Sequence, residues 1–127
     1  MKKILFLLIS FILLLSLSAC GGSFEHIKLD DVESIKVWLY EDDGTYNCRN
    51  LTQGEIMTFI ELYNTSTYVG KATGEGCTPQ FGASIELKND RTLLVNEFCG
   101  KNADIEAGKY YINNQELLKF IHDQVKQ

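Results

Sequence analysis

Four cysteines and two histidines are the side chains in this 127-residue sequence that could bind a metal, act as nucleophile and base, or cross-link the chain. A zinc site needs thiolates and imidazoles at close, defined spacing. Cys48, Cys77 and Cys99 are dispersed, and His26 and His122 stand far apart in the chain, so no metal and no cofactor is expected. A thiol nucleophile needs a base within hydrogen-bond reach, which leaves Cys77 or Cys99 with His122 as the one conceivable pair. The acidic run Glu41-Asp42-Asp43-Gly44 lacks the alternating ligands of a calcium loop, and "VGKATGEG" lacks the strand-to-helix context of a phosphate loop. No pair of carboxylates stands out for acid and base work. The residues therefore point to a non-enzymatic binding module, with a small envelope hydrolase or thiol enzyme and a purely structural envelope protein as alternatives.

Cys20 belongs to a different chemistry. It follows Lys2, Lys3 and an apolar stretch from Ile4 to Leu17 broken only by serines, which is the pattern of an export signal. That stretch is short for a spanning helix, which needs about 20 apolar residues. The segment Leu17-Ser18-Ala19-Cys20 resembles the lipobox of bacterial lipoproteins. The resemblance implies that Cys20 is thioether-linked to diacylglycerol, that cleavage falls between Ala19 and Cys20, and that the new amino terminus is open to acylation. The expected location is the cell membrane, lipid-anchored and facing the extracytoplasmic side. Removal of Lys2 and Lys3 takes the formal net charge from -5 to -7. Such a charge argues against nucleic acid and against an anionic lipid surface as electrostatic partners, leaving an envelope or extracellular protein as the expected partner.

The organisation expected is a signal peptide over 1–19, a lipidated flexible tether over 20–28 and a single α+β domain over 29–127. "SIKVWLY" alternates as a strand, "EDDGT" supplies a turn and "TYNCRN" returns. Thr52 with Glu55 has capping-box spacing ahead of Ile56, Phe59, Ile60 and Tyr63, which recur with the period of a helix. "TYVG" is a strand fragment entering a glycine-rich loop, and "FGASIELKNDRTLLVNEFC" is a second hairpin. "GKNADIEAG" reads as a loop, "KYYI" as the last strand, and Asn113 with Glu116 as the cap of a final helix. The result is a small antiparallel sheet of about five strands, in two hairpins, with two helices packed on it. "VESIKVWLYEDDG", "LTQGEIMTFIELYN" and "KYYINNQELLKFI" also resemble segments of small uncharacterised lipoproteins of Gram-positive bacteria, a resemblance that implies no activity.

Strand parity then assigns faces. Reversal about Asp42-Asp43 places Cys48 on the face of Ile35, Val37 and Leu39, and reversal about Asn89-Asp90 sends Cys99 to the opposite face, beside Leu93 and Val95. Cysteines whose Cβ vectors diverge cannot be bridged. Cys77 with Cys99 is the favoured disulfide and Cys48 a buried free thiol, while a bridge using Cys48 and the absence of any bridge stay open. The same parity gathers Trp38, Tyr40, Leu93 and Val95 as a candidate partner surface. They are exposed if both helices cover the other face and are core if one helix covers each.

Overall fold

The computed structural model describes residues 23–74, 76–100 and 102–127. The leader and Cys20 lie outside the described residues. A short 3-10 turn, Leu29–Asp31, leads into β1 (Val32–Tyr40) and β2 (Tyr46–Asn50). Helix α1 (Gln53–Asn64) and β3 (Thr67–Lys71) follow, then β4 (Phe81–Leu87), β5 (Thr92–Glu97), β6 (Ile105–Ala107), β7 (Tyr110–Asn113) and α2 (Gln115–Val125). The fold is α+β with two helices, as the sequence suggests, but the antiparallel sheet has seven strands in the order β2-β1-β4-β5-β6-β7-β3. The "TYVG" fragment is a full edge strand. Within the expected loop, Ile105 and Ala107 are fully buried and alternate with Glu106 as β6, a segment of three residues that offers little periodicity to read.

Both helices pack on one face of the sheet. Ile56, Phe59, Ile60 and Tyr63 of α1 and Leu117, Ile121 and Val125 of α2 form one core with Ile35, Val37, Leu39, Ala83, Ile85, Val95, Ile105, Ala107 and Ile112. Helix α1 starts as the capping box predicts: the Thr52 hydroxyl accepts from the Glu55 N–H at 3.3 Å and Glu55 Oε1 accepts from the Thr52 N–H at 2.9 Å. The cap of α2 is Asn114, not Asn113; its Oδ1 accepts from the Leu117 N–H at 2.9 Å while its amide donates to Leu62 O at 2.7 Å, joining the two helices. Asn113 is the last residue of β7 and accepts from the Asp104 N–H.

The folded unit begins earlier than expected. Phe24 and Ile27 are buried, at 7% and 9% exposed. The Asn64 side chain both accepts from the Ile27 N–H and donates to the Ile27 carbonyl, each at 2.8 Å. Residues 24–28 are therefore a docked segment instead of a flexible tether, because two apolar side chains spaced by three residues reach the core beside α1.

Arg49 ties β2 to both helices. Its guanidinium makes a forked ion pair with Glu55, one arm at 3.1 Å, and donates to the backbone and side chain of Gln124. Arg49 first and the Thr52 N–H second hold the Glu55 carboxyl down at about 2, from an ordinary 4.5. A depressed folded-state value stabilises the fold fully above about 4.5, and that contribution disappears as pH falls through about 2. Both side chains are partly exposed, so solvent screening limits the contribution to about 1 kcal/mol. Glu55→Gln is expected to lower the unfolding free energy at pH 6 by that amount and to have much less effect at pH 2, with equilibrium urea unfolding at the two pH values as the check.

Candidate functional site

Among the described residues, nothing covers one half of the sheet face away from the helices. The register pairs Tyr40 with Tyr46, Trp38 with Cys48 and Trp38 with Gly82, so these residues share that face. Tyr40 packs against Trp38 with ring centroids 6.0 Å apart and against Tyr46 at 4.7 Å. Tyr40 and Tyr46 are 53% and 48% exposed, and paired exposed rings of this kind mark candidate interaction surfaces. Trp38 lies across Gly82: a Cβ there would stand 2.9 Å from the indole and 2.6 Å from the Val95 carbonyl, so only glycine lets the ring lie flat. Partial burial first, and the nearby Cys48 sulfur second, raise the Tyr46 phenol above its ordinary value.

The four residues expected to share a surface are separated. Trp38 and Tyr40 are on the open face, but Val95 is fully buried and Leu93 is half-buried on the helix side, paired across from Ala83 and Ile85. Leu94 takes their place outside. Cys48 is likewise exposed, opposite Trp38, and not a buried thiol beside Val37. Both corrections have one cause. Each hairpin turns through three residues, Asp42-Asp43-Gly44 closed by the Glu41 N–H to Thr45 O bond, and Lys88-Asn89-Asp90 closed by the Leu87 N–H to Arg91 O bond. Gly44 and Asp90 take the left-handed conformation at φ 85° and 62°, as three-residue turns require at their last position. A two-residue reversal puts the return strand one residue out of register and so on the wrong face.

The other half of the open face is covered by the loop after β3. Cys77 and Cys99 form a disulfide, with Cα atoms 6.0 Å apart. The Tyr111 hydroxyl accepts from the Thr73 N–H at 3.0 Å, and Phe98 stacks on the Tyr111 ring at 4.4 Å. Neither sulfur is available as a nucleophile. His122 packs edge-on against Phe81 on the helix side, away from the exposed thiol of Cys48. Asp43 accepts from the Thr45 N–H within its own turn, and no cluster of metal-binding side chains occurs among the described residues.

A second feature lies at the opposite end of the sheet. A cleft of about 590 Å³ opens between the docked segment Glu25–Lys28, the end of α1, the β4–β5 turn and the β6–β7 turn. Four of the twelve lysines and arginines line it, Lys28, Lys88, Arg91 and Lys109, against two carboxylates, Glu25 and Asp31. None of the four cations forms an ion pair among the described residues. Tyr63 also lines the cleft and is 1% exposed as a residue. Burial first, then the charge of Glu25, push its phenol up to about 12, so it remains a proton donor. Lys88 and Arg91 flank one turn and Lys109 sits in another. Sequence reading recognised the first turn but had no strand order with which to bring the two together.

The fold and these two features define a small α+β domain with helices on one face and a partly bare sheet on the other. Comparison with protein-family models, with curated proteins and with solved structures gave no match.

Proposed function

We propose that this is a lipid-anchored extracytoplasmic domain that captures a protein of the cell envelope on the bare half of its sheet. The observation that carries the reading is the aromatic group of exposed Tyr40 and Tyr46 with half-buried Trp38, the last lying over Gly82, while both helices occupy the other face. Large amphipathic rings contribute most of the binding energy at protein interfaces, and they lose little side-chain freedom on docking. The lipobox Leu17-Ser18-Ala19-Cys20 supplies the anchor. Chain direction supports the same arrangement: β1 runs nine residues from the docked segment to Tyr40, which carries the aromatic group about 26 Å from the anchored end.

Trp38→Ser with Tyr40→Ser is expected to weaken capture of the partner by at least a hundredfold, on the scale of two aromatic anchors, while the circular dichroism spectrum stays unchanged. The check is crosslinking on native cells followed by quantification of the captured protein. An undiminished yield from the double variant would remove this surface from the proposal.

A further inference from the structure

We infer that the cationic cleft at the anchored end binds the phosphate head group of an anionic phospholipid in the same bilayer, an inference that rests on the lipid-anchor reading above. The lining supplies what such a group needs. Lys28, Lys88, Arg91 and Lys109 are unpaired cations brought together from three segments of the chain, and about 590 Å³ is room for a head group. The Tyr63 ring is buried and its residue lines the cleft, so its hydroxyl adds a donor at the cleft wall. Gly108, at φ 57°, turns the chain tightly enough to bring Lys109 to the cleft, with Leu93 packed where a Cβ would project.

The net charge of -7 after loss of Lys2 and Lys3 argues against an anionic surface as a partner of the whole domain, but it does not govern one head group seated in the cleft. Fields between exposed charges are screened beyond about 8–10 Å, so a head group responds to the four cations around it more than to acidic residues elsewhere. A soluble phosphate ester would offer the same chemistry. The path of the chain argues for the lipid, because Glu25 in the cleft wall is five residues from Cys20, at most about 17 Å of extended backbone.

The test uses the chain without residues 1–19 and with Cys20→Ser, which keeps every described core residue and has no acyl group. It is expected to co-sediment with vesicles of phosphatidylglycerol and phosphatidylcholine and not with phosphatidylcholine alone. Lys88→Gln with Arg91→Gln should weaken partitioning roughly thirtyfold, at about 1 kcal/mol for each cation at an anionic surface. Tyr63→Phe should weaken it about fivefold, the equivalent of one hydrogen bond, without lowering the unfolding midpoint. Lys36→Gln with Lys119→Gln, off the cleft, should leave partitioning unchanged.

Equal losses from the two lysine and arginine pairs, or no loss from Tyr63→Phe, would overturn the site. Glycerol phosphate that perturbs the tyrosine absorbance of a chain that ignores the vesicles would overturn the lipid as the source. Acylation of Cys20 is read separately, from the mass of the wild-type protein, so either result can fail while the other stands.

Discussion

The wild-type protein extracted from cells is expected to enter the detergent phase of a nonionic two-phase partition, and the chain lacking residues 1–19 with Cys20→Ser to stay in the aqueous phase. The size of the effect follows from the acyl chains: each buried CH₂ contributes about 0.8 kcal/mol, one chain binds only marginally, and two hold durably. Intact mass gives the chemical side of the same result. The mature wild-type chain should begin at Cys20 and be heavier than its sequence by a diacylglycerol. A mass corresponding to an unmodified Cys20 would overturn the anchor, whatever the partitioning shows. Among the described residues no helix is long and apolar enough to cross a membrane, so the folded part offers no helical span in its place.

Removing the Cys77–Cys99 bridge is expected to cost about 3 kcal/mol, the chain-entropy value for a closed loop near 20 residues. The sequence separation is 22. For a domain of this size that lowers the thermal midpoint by roughly 10–20 °C. Cys77→Ser with Cys99→Ser, followed by thermal denaturation, measures it. Cys48→Ser is the internal comparison: the thiol is exposed, so its loss should change stability by no more than about 0.5 kcal/mol. A large effect at Cys48 with none at the other two would mean that the wrong pair had been assigned. Loss of the bridge also releases the loop that covers Phe98 and Tyr111, so the double variant should expose more of the sheet to a hydrophobic dye.

The hairpins show how far local pattern carries. Alternation in β1 and β4 places Ile35, Val37, Leu39, Ala83 and Ile85 inside, where they are, because one buried face dictates every second residue. The return strands depend on a single integer, the length of the turn. Asp42-Asp43 and Asn89-Asp90 can each be read as a two-residue reversal or as part of a three-residue one, and only the backbone conformation of Gly44 and Asp90 decides. That integer moved Cys48 outward and Val95 inward. The docking of Phe24 and Ile27 was hidden for another reason. Two apolar residues among charged ones carry no period, and their partners Tyr63 and Asn64 lie 37 or more residues away. The cationic cleft is legible least of all, since it requires the order of strands across the sheet, which distant pairings set.

The early docking of the chain has a consequence for affinity. With Phe24 fixed against Tyr63, four residues after Cys20, an acylated Cys20 would hold the domain to within about 14 Å of the bilayer surface. Over so short a link, head groups are present at an effective concentration in the millimolar range. A cleft with only millimolar intrinsic affinity would therefore be about half occupied in place, and the second contact would fix the angle of the domain on the membrane. The anchor and the cleft would act as a bivalent pair, orienting the aromatic face outward, and the affinity of the free domain would understate how firmly that orientation is held.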